Sequence, residues 1–158
     1  MNIETERLTL KLDSLEEARA GIAALPEEIQ VQLSPDWLAL LEAATEADPW
    51  VLGFSVVRRS DEAVVGTCGF KGPPSAEGVV EIAYATEPDQ QGKGYATEAA
   101  TAATAWAFQN EDVRLVRAHT LPETNASTRV LTKCGFTHTE EVIDPDDGPV
   151  WRWEKTRQ

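Results

Sequence analysis

A chain of 158 residues with 42% hydrophobic content is long enough for one domain, residues 1–158, with a sizeable core, because chains of this length bury most of the surface they expose when unfolded. Its formal net charge of -13 argues against a nucleic-acid partner, whose phosphates the surface would repel, and makes any anionic ligand a local problem. The first dozen residues have neither a cationic leader nor a continuous apolar stretch, and no segment approaches the roughly 18 apolar residues of a membrane span, so the expected location is cytoplasmic with no membrane partner.

The opening "ERLTLKLD" alternates apolar and polar residues like a half-buried strand, and "SLEEARAGIAAL" then shows helical spacing behind Ser14 as cap, with Glu17 three residues on. In "SPDWLALLEAATEADP", Ser34 is the candidate N-cap of a second helix, Pro35 its first residue and Pro49 its terminator. Three strands follow, "WVLGFSVVRR", "AVVGTCGF" and "VVEIAYAT", separated by an "SDEA" turn and the loop "KGPPSAEG". A long alanine-rich helix comes next, then a strand "VRLVRAHTL", a helix "TNASTRVLTKCG" ended by Gly135, and a hairpin of "FTHTEEVID" and "PVWRWEKT". That order predicts a mixed α/β fold in which the strands on either side of the long helix form a parallel pair with a right-handed crossover. Cys68 and Cys134 are too few for a disulfide framework, and no Cys/His spacing suggests a metal site; both read as reduced core residues.

The stretch Gln91-Gly92-Lys93-Gly94-Tyr95-Ala96 lies after a strand and opens the long helix. The first N–H groups of a helix have no intrahelical partners and its N-terminus carries partial positive charge, so this is a natural phosphate seat. Glycines permit close backbone approach and positive φ, and Lys93 adds a full charge. The P-loop pattern is absent, the third glycine of a dinucleotide fingerprint is missing, and Arg114 stands where that fingerprint wants an acid.

The pattern of Gln91, Gly94 and Ala96 resembles the coenzyme A pyrophosphate loop of the GNAT (GCN5-related) N-acetyltransferases, written [R/Q]-x-x-G-x-[G/A]. With "VEIAYATEP" before it and "NASTRVLTKCGF" after it, the chain is similar to the branch that includes ribosomal-protein N-terminal acetyltransferases, over nearly its whole length. The resemblance implies a mostly antiparallel seven-stranded sheet with a central splayed parallel pair and about four flanking helices. It implies acetyl-CoA as donor, with Tyr84, Ala85 and Thr86 beside the pantetheine arm, and Gln91 with Gly92, Lys93, Gly94, Tyr95, Ala96 and Thr97 around the pyrophosphate. Asn125 is a further cofactor contact or a plain N-cap, and either Thr124 or Asn125 occupies the family's asparagine position. It implies direct acetyl transfer to an amine, on a small molecule or a protein N-terminus, and possible homodimerisation.

Many relatives place a tyrosine four residues before the glycine of "GF" to protonate the departing thiolate; this chain has Leu131 there, which leaves Ser127 as the candidate donor. Glu81 is the candidate general base. It lies three residues before Tyr84 on the strand face of Val79, Ala83 and Ala85, where small apolar neighbours would raise its pKa. The alternative for Glu81 is a structural ion pair with an arginine of a neighbouring strand, and His119 is the next candidate. His138 and the same-face pair Trp151 and Trp153 read as packing, and Arg58 and Arg59 as a solvated strand end. A cysteine-acyl route lacks a Cys/His/Asp arrangement, whereas a catalytically silent acyl-CoA-binding domain would keep the glycine loop and need no base. Asp and Glu concentrate in the first 50 residues, so an acidic rim favours a cationic amine acceptor.

Overall fold

The computed structural model describes residues 2–12, 14–31, 35–43, 48–145 and 148–156. Eight strands form a sheet in the order β1-β2-β3-β4-β5-β6-β8-β7. They are β1 (Asn2–Glu4), β2 (Leu8–Leu12), β3 (Phe54–Arg58), β4 (Val64–Phe70), β5 (Val79–Thr86), β6 (Leu115–Thr120), β7 (Thr137–Asp144) and β8 (Gly148–Thr156). Among the described residues five α-helices accompany them: α1 (Leu15–Ala23), α2 (Glu27–Gln30), α3 (Pro35–Ala43), α4 (Tyr95–Phe108) and α5 (Ala126–Lys133).

Among the described residues the sheet therefore has eight strands where seven were expected, and five α-helices flank it where about four were. The additions are short: β1 has three residues and α2 four, too few for a hydrophobic period to show. "WVLGFSVVRR" is also not one strand. The Asp48 carbonyl accepts from the N–H groups of Val51 and Leu52, and Asp48 Oδ1 from that of Trp50, so this segment turns, and pairing begins only at Phe54. Ser14 caps α1 as its sequence suggests, accepting from Glu17 N at 3.0 Å. The proposed cap Ser34 lies outside the described residues, as do Asp146 and Asp147 of the hairpin turn.

Adjacent strands pair antiparallel except β5 and β6, whose parallel ladder consists of Val79↔Leu115, Val80↔Val116 and Glu81↔Arg117. Beyond Glu81, β5 runs on to Thr86 paired only with β4, while β6 runs on paired with β8. The central pair is thus joined at one end and parted at the other. Alternation along β5 sends Val80 and Ile82 into the core with Ala99, Ala100, Ala103 and Ala107 of α4 and Leu131 of α5. Those four alanines are at most 2% exposed, the close packing their small side chains allow. Glu81, Ala83 and Ala85 lie on the other face.

Candidate active site

The helix that follows β5 opens without a side-chain cap among the described residues: its N-cap is Gly94, at φ +83°, two residues after Gly92 at φ +78°. Both angles lie in the left-handed region where only glycine is at ease. A single turn at Pro88–Gln90 leads into this loop. Two arginines from the far strands hold it. Arg7 donates from Nη1 to the Lys93 carbonyl at 3.0 Å, lies over the Tyr95 ring at 4.8 Å, and pairs through Nε with Glu98 Oε1 at 2.8 Å. Burial pushes the Glu98 carboxyl up, but the Thr5 hydroxyl and the Arg7 donors outweigh it and hold it below its ordinary range. Arg58 donates to Gln90 Oε1 at 2.9 Å and to the Tyr95 hydroxyl at 3.4 Å, besides its pair with Asp61. It is therefore a brace for the loop and not a solvated strand end. Arg59, exposed, donates to the Thr5 carbonyl.

A cavity of about 330 Å³ runs from the parted stretch of β5 to this loop. Tyr84, Ala85 and Thr86 line one side, Gln91, Gly92, Gly94, Tyr95, Ala96 and Thr97 the end, and Ala126, Ser127, Arg129, Val130 and Lys133 of α5 the other. Most of the residues assigned from sequence to a cofactor thus meet at one cavity. Lys93 and Asn125 are not in its lining. The Lys93 ammonium donates to Gln90 Oε1 at 3.1 Å. Asn125 is the N-cap of α5: its Oδ1 accepts from Thr128 N at 3.0 Å, while Thr128 Oγ1 accepts from Asn125 N at 2.9 Å. The cations that do face the cavity, Arg129 and Lys133, went unnoticed in the sequence, although a spacing of four residues puts two side chains on one helix face.

Leu131 is fully buried, so the position that many relatives give to tyrosine packs here into the core. One helical turn earlier, Ser127 Oγ lies 3.1 Å from the Tyr84 hydroxyl. Burial pushes the Tyr84 phenol up to about 12, an effect the hydrogen bond to Ser127 only partly offsets. The phenol accordingly keeps its proton throughout the neutral range. Sequence reading assigned Tyr84 only its backbone; its hydroxyl reaches Ser127 because alternation turns it toward the α5 side of β5.

Glu81 lies on the opposite face, at the last rung of the parallel ladder. Its expected apolar surroundings are not what the structure shows: Lys71 Nζ is 2.8 Å from Oε2 and His119 Nδ1 is 3.2 Å from Oε1. The reason is cross-strand. Lys71 N donates to the Glu81 carbonyl just past the end of β4, and β6 carries His119 two residues beyond the Arg117 that pairs with Glu81. Parity within β5 names its faces but not the neighbours that other strands bring. The anticipated arginine partner is taken, since Arg117 pairs with Glu154 at 2.7 Å. Glu81, Lys71, Glu77 and Arg117 line a second groove of about 490 Å³.

The other candidates fall into packing roles. His138 stacks on Trp151 and Trp153, with ring centroids 4.6 and 5.2 Å away. Burial pushes the Cys68 thiol up to about 12 and raises that of Cys134 despite its Thr101 hydrogen bond, so neither favours the thiolate that nucleophilic catalysis needs. No helix among the described residues is long and apolar enough to cross a membrane.

Residues 5–137 match the sequence model of a family described as acetyltransferase (GNAT) domain. A Bacillus subtilis protein named as the uncharacterized N-acetyltransferase YjdG is 34% identical over 89 residues, which is 56% of this chain and 51% of that protein. The chain spans about half the length of the curated relatives it matches. Among solved structures, an acetyltransferase (GNAT family) from Bacillus anthracis superposes with a TM-score of 0.71 at 20% identity, covering 99% of this chain and 98% of the other. An aminoglycoside acetyltransferase in complex with coenzyme A superposes with a TM-score of 0.66 at 20% identity, over 95% of each chain.

Proposed function

The chain belongs to the GNAT acetyltransferase family, and we propose that it transfers the acetyl group of acetyl-CoA to a primary amine by direct attack while both substrates are bound. The observation that carries this reading is the three-rung parallel ladder. Because β5 and β6 part after Glu81↔Arg117, one wall of β5 is open to a cavity that ends at the glycine mouth of α4. An extended thioester arm fits along that wall beside Tyr84, Ala85 and Thr86, with the pyrophosphate against the first-turn amides of α4. Arg129 and Lys133 add positive charge beside it, which offsets locally the net charge of the chain; at physiological salt, with a Debye length of roughly 8 Å, distant acids are screened. Holding donor and acceptor together removes much of the entropic barrier.

The two faces of β5 divide the proton transfers. An alkyl ammonium near pKa 10 has no lone pair at neutral pH, so Glu81, at the rung where the strands part, takes its proton. The freed nitrogen attacks the thioester carbonyl, the C–S bond breaks, and the second proton of the nitrogen passes to solvent as the neutral amide forms. The departing thiolate takes one proton from the hydrogen-bonded Ser127–Tyr84 hydroxyl pair on the other side, which regains it from solvent. Both hydroxyls line the donor cavity, which supports this assignment. The acceptor lies on the Glu81 side and is a cationic amine, on a small molecule or a protein N-terminus.

The test is calorimetric titration with acetyl-CoA, followed by thiol release with a panel of amines and peptides. Glu81→Gln is expected to lower turnover on the order of 10²-fold with acetyl-CoA affinity unchanged. A folded chain that does not bind acetyl-CoA, or a Glu81→Gln variant at the wild-type rate, overturns the reading.

A further inference from the structure

His119 stands between a carboxylate and a guanidinium. Its Nδ1 is 3.2 Å from Glu81 Oε1, and Arg152 Nε donates to its Nε2 at 3.2 Å. Arg152 is itself fixed, with Nη1 3.1 Å from Glu140 Oε1. Strand register accounts for the line of contacts: His119 is opposite Arg152 in the β6–β8 ladder, and Arg152 opposite Glu140 in the β7–β8 ladder. Four adjacent strands thus contribute Glu81, His119, Arg152 and Glu140 in sheet order.

A guanidinium has only donors. To bond with Arg152, Nε2 must present its lone pair, and the hydrogen of the neutral ring is then on Nδ1, the nitrogen that lies 3.2 Å from Glu81 Oε1. In a histidine, the partner of one nitrogen decides the state of the other. We propose that Arg152 is a positioning residue which holds His119 in its Nδ1–H tautomer, so that the ring is a fixed hydrogen-bond donor to Glu81 and not a proton acceptor. This inference rests on the reading of Glu81 as base. With Oε1 beside His119 Nδ1, the carboxylate has Oε2 left for the groove, where Lys71 Nζ now lies and where an acceptor ammonium would exchange with it. The remaining nearby cation, Arg117, is engaged with Glu154 and does not substitute for Arg152. His138, the other histidine of the chain, stacks on the tryptophans that alternate with Arg152 along β8.

Nitrogen-15 spectra of the protein with labelled histidine rings, taken at about pH 8 where an ordinary histidine is neutral, read the tautomer without any substrate. The wild-type His119 is expected as Nδ1–H. Arg152→Met should lose that preference and lower kcat on the order of tenfold, a fraction of the effect of removing a base, with the KM for acetyl-CoA unchanged because Arg152 does not line the donor cavity. Arg152→Lys, which keeps a cationic donor, should restore both readouts. A wild-type ring in the Nε2–H form, or an Arg152→Met variant that keeps both the Nδ1–H ring and full kcat, overturns the assignment. An Nδ1–H ring together with a fully active Glu81→Gln enzyme overturns instead the base on which the kinetic half depends, so the two failures are distinguishable.

Discussion

Two helices open onto the donor cavity, and they open differently. Helix α5 starts from Asn125 in extended backbone, and the reciprocal bonds between Asn125 and Thr128 satisfy the N–H groups of those two residues from within the chain. Helix α4 starts from a left-handed glycine with no side-chain cap among the described residues. A helix N-terminus closed by a capping box has committed part of its amides, and the side chains it adds at the cavity are here Ser127, Arg129 and Lys133. One that forgoes a cap keeps its amides for whatever comes against it, at the cost of a glycine hinge that must be held by something else. In this chain the holding is done by Arg7 and Arg58 from β2 and β3 and their flanks.

The contrast breaks most visibly at Gly94. In Gly94→Glu a side chain is forced into φ +83°, with its Cβ 3.3 Å from Arg7 Nη2, and a carboxylate is set at the phosphate seat. One added negative charge about 6 Å from another, at an effective dielectric of about 20, costs about 2.8 kcal/mol. Acetyl-CoA affinity by calorimetry should therefore fall on the order of 10²-fold. Unchanged affinity in a folded variant would mean that the amides of α4 do not meet the donor.

The side-chain contribution of α5 is sharpened by the hydroxyl pair. Removing both hydroxyls, in Tyr84→Phe with Ser127→Ala, should reduce kcat on the order of 10²-fold, the lower end for general-acid catalysis, and each single change less, because the other hydroxyl remains. Single-turnover thiol release at saturating acetyl-CoA reads this directly. Equal rates for the double variant and the wild type would remove the pair from the reaction.

The same phenol gives a pH effect on stability. Its folded pKa, about 12, is above the ordinary value of 10.0, so its contribution is fully present below pH 10. As pH rises from 10 to 12 the unfolded chain releases the proton first and stability falls. Cys68, raised from 9.0 to about 12, acts with the same sign from pH 9 upward. Urea midpoints between pH 9 and 12 should decline, and the decline above pH 10 should be shallower in Tyr84→Phe. A Tyr84→Phe curve parallel to wild type would show that Tyr84 is not protected by burial.

The glycine loop, the helix ends and the faces of β5 were legible in the sequence because each is a local signal, carried by neighbours or by a period of two. The assignment of Tyr84 to Thr86 and of Gln91 to Thr97 came from the family resemblance, and most of these residues line one cavity. What escaped was set by register between segments far apart in the chain: Arg7 against Glu98, Lys71 against Glu81, Arg152 against His119. No spacing along the sequence announces these pairs, since they exist only once β2, β4, β6 and β8 have found their neighbours. Asn125 is the intermediate case. Its cap role and its cofactor role have the same sequence signature; the structure shows the cap through Thr128, and binding measurements test the other.

That ambiguity supplies the smallest and most discriminating expectation. If the α5 N-terminus is self-contained, Asn125→Ala removes an N-cap and nothing else. The loss should be about 1 kcal/mol of stability, lowering the thermal midpoint by roughly 2–4 °C for a chain of this size. Acetyl-CoA affinity should stay within about twofold of wild type, well below the tenfold that 1.4 kcal/mol represents. Thr128→Val deletes the other half of the capping box and should give a loss of the same kind, again without effect on binding. A tenfold fall in affinity for Asn125→Ala, with Thr128→Val binding normally, would put the Asn125 side chain on the donor, and the two helix mouths would then differ in degree and not in kind.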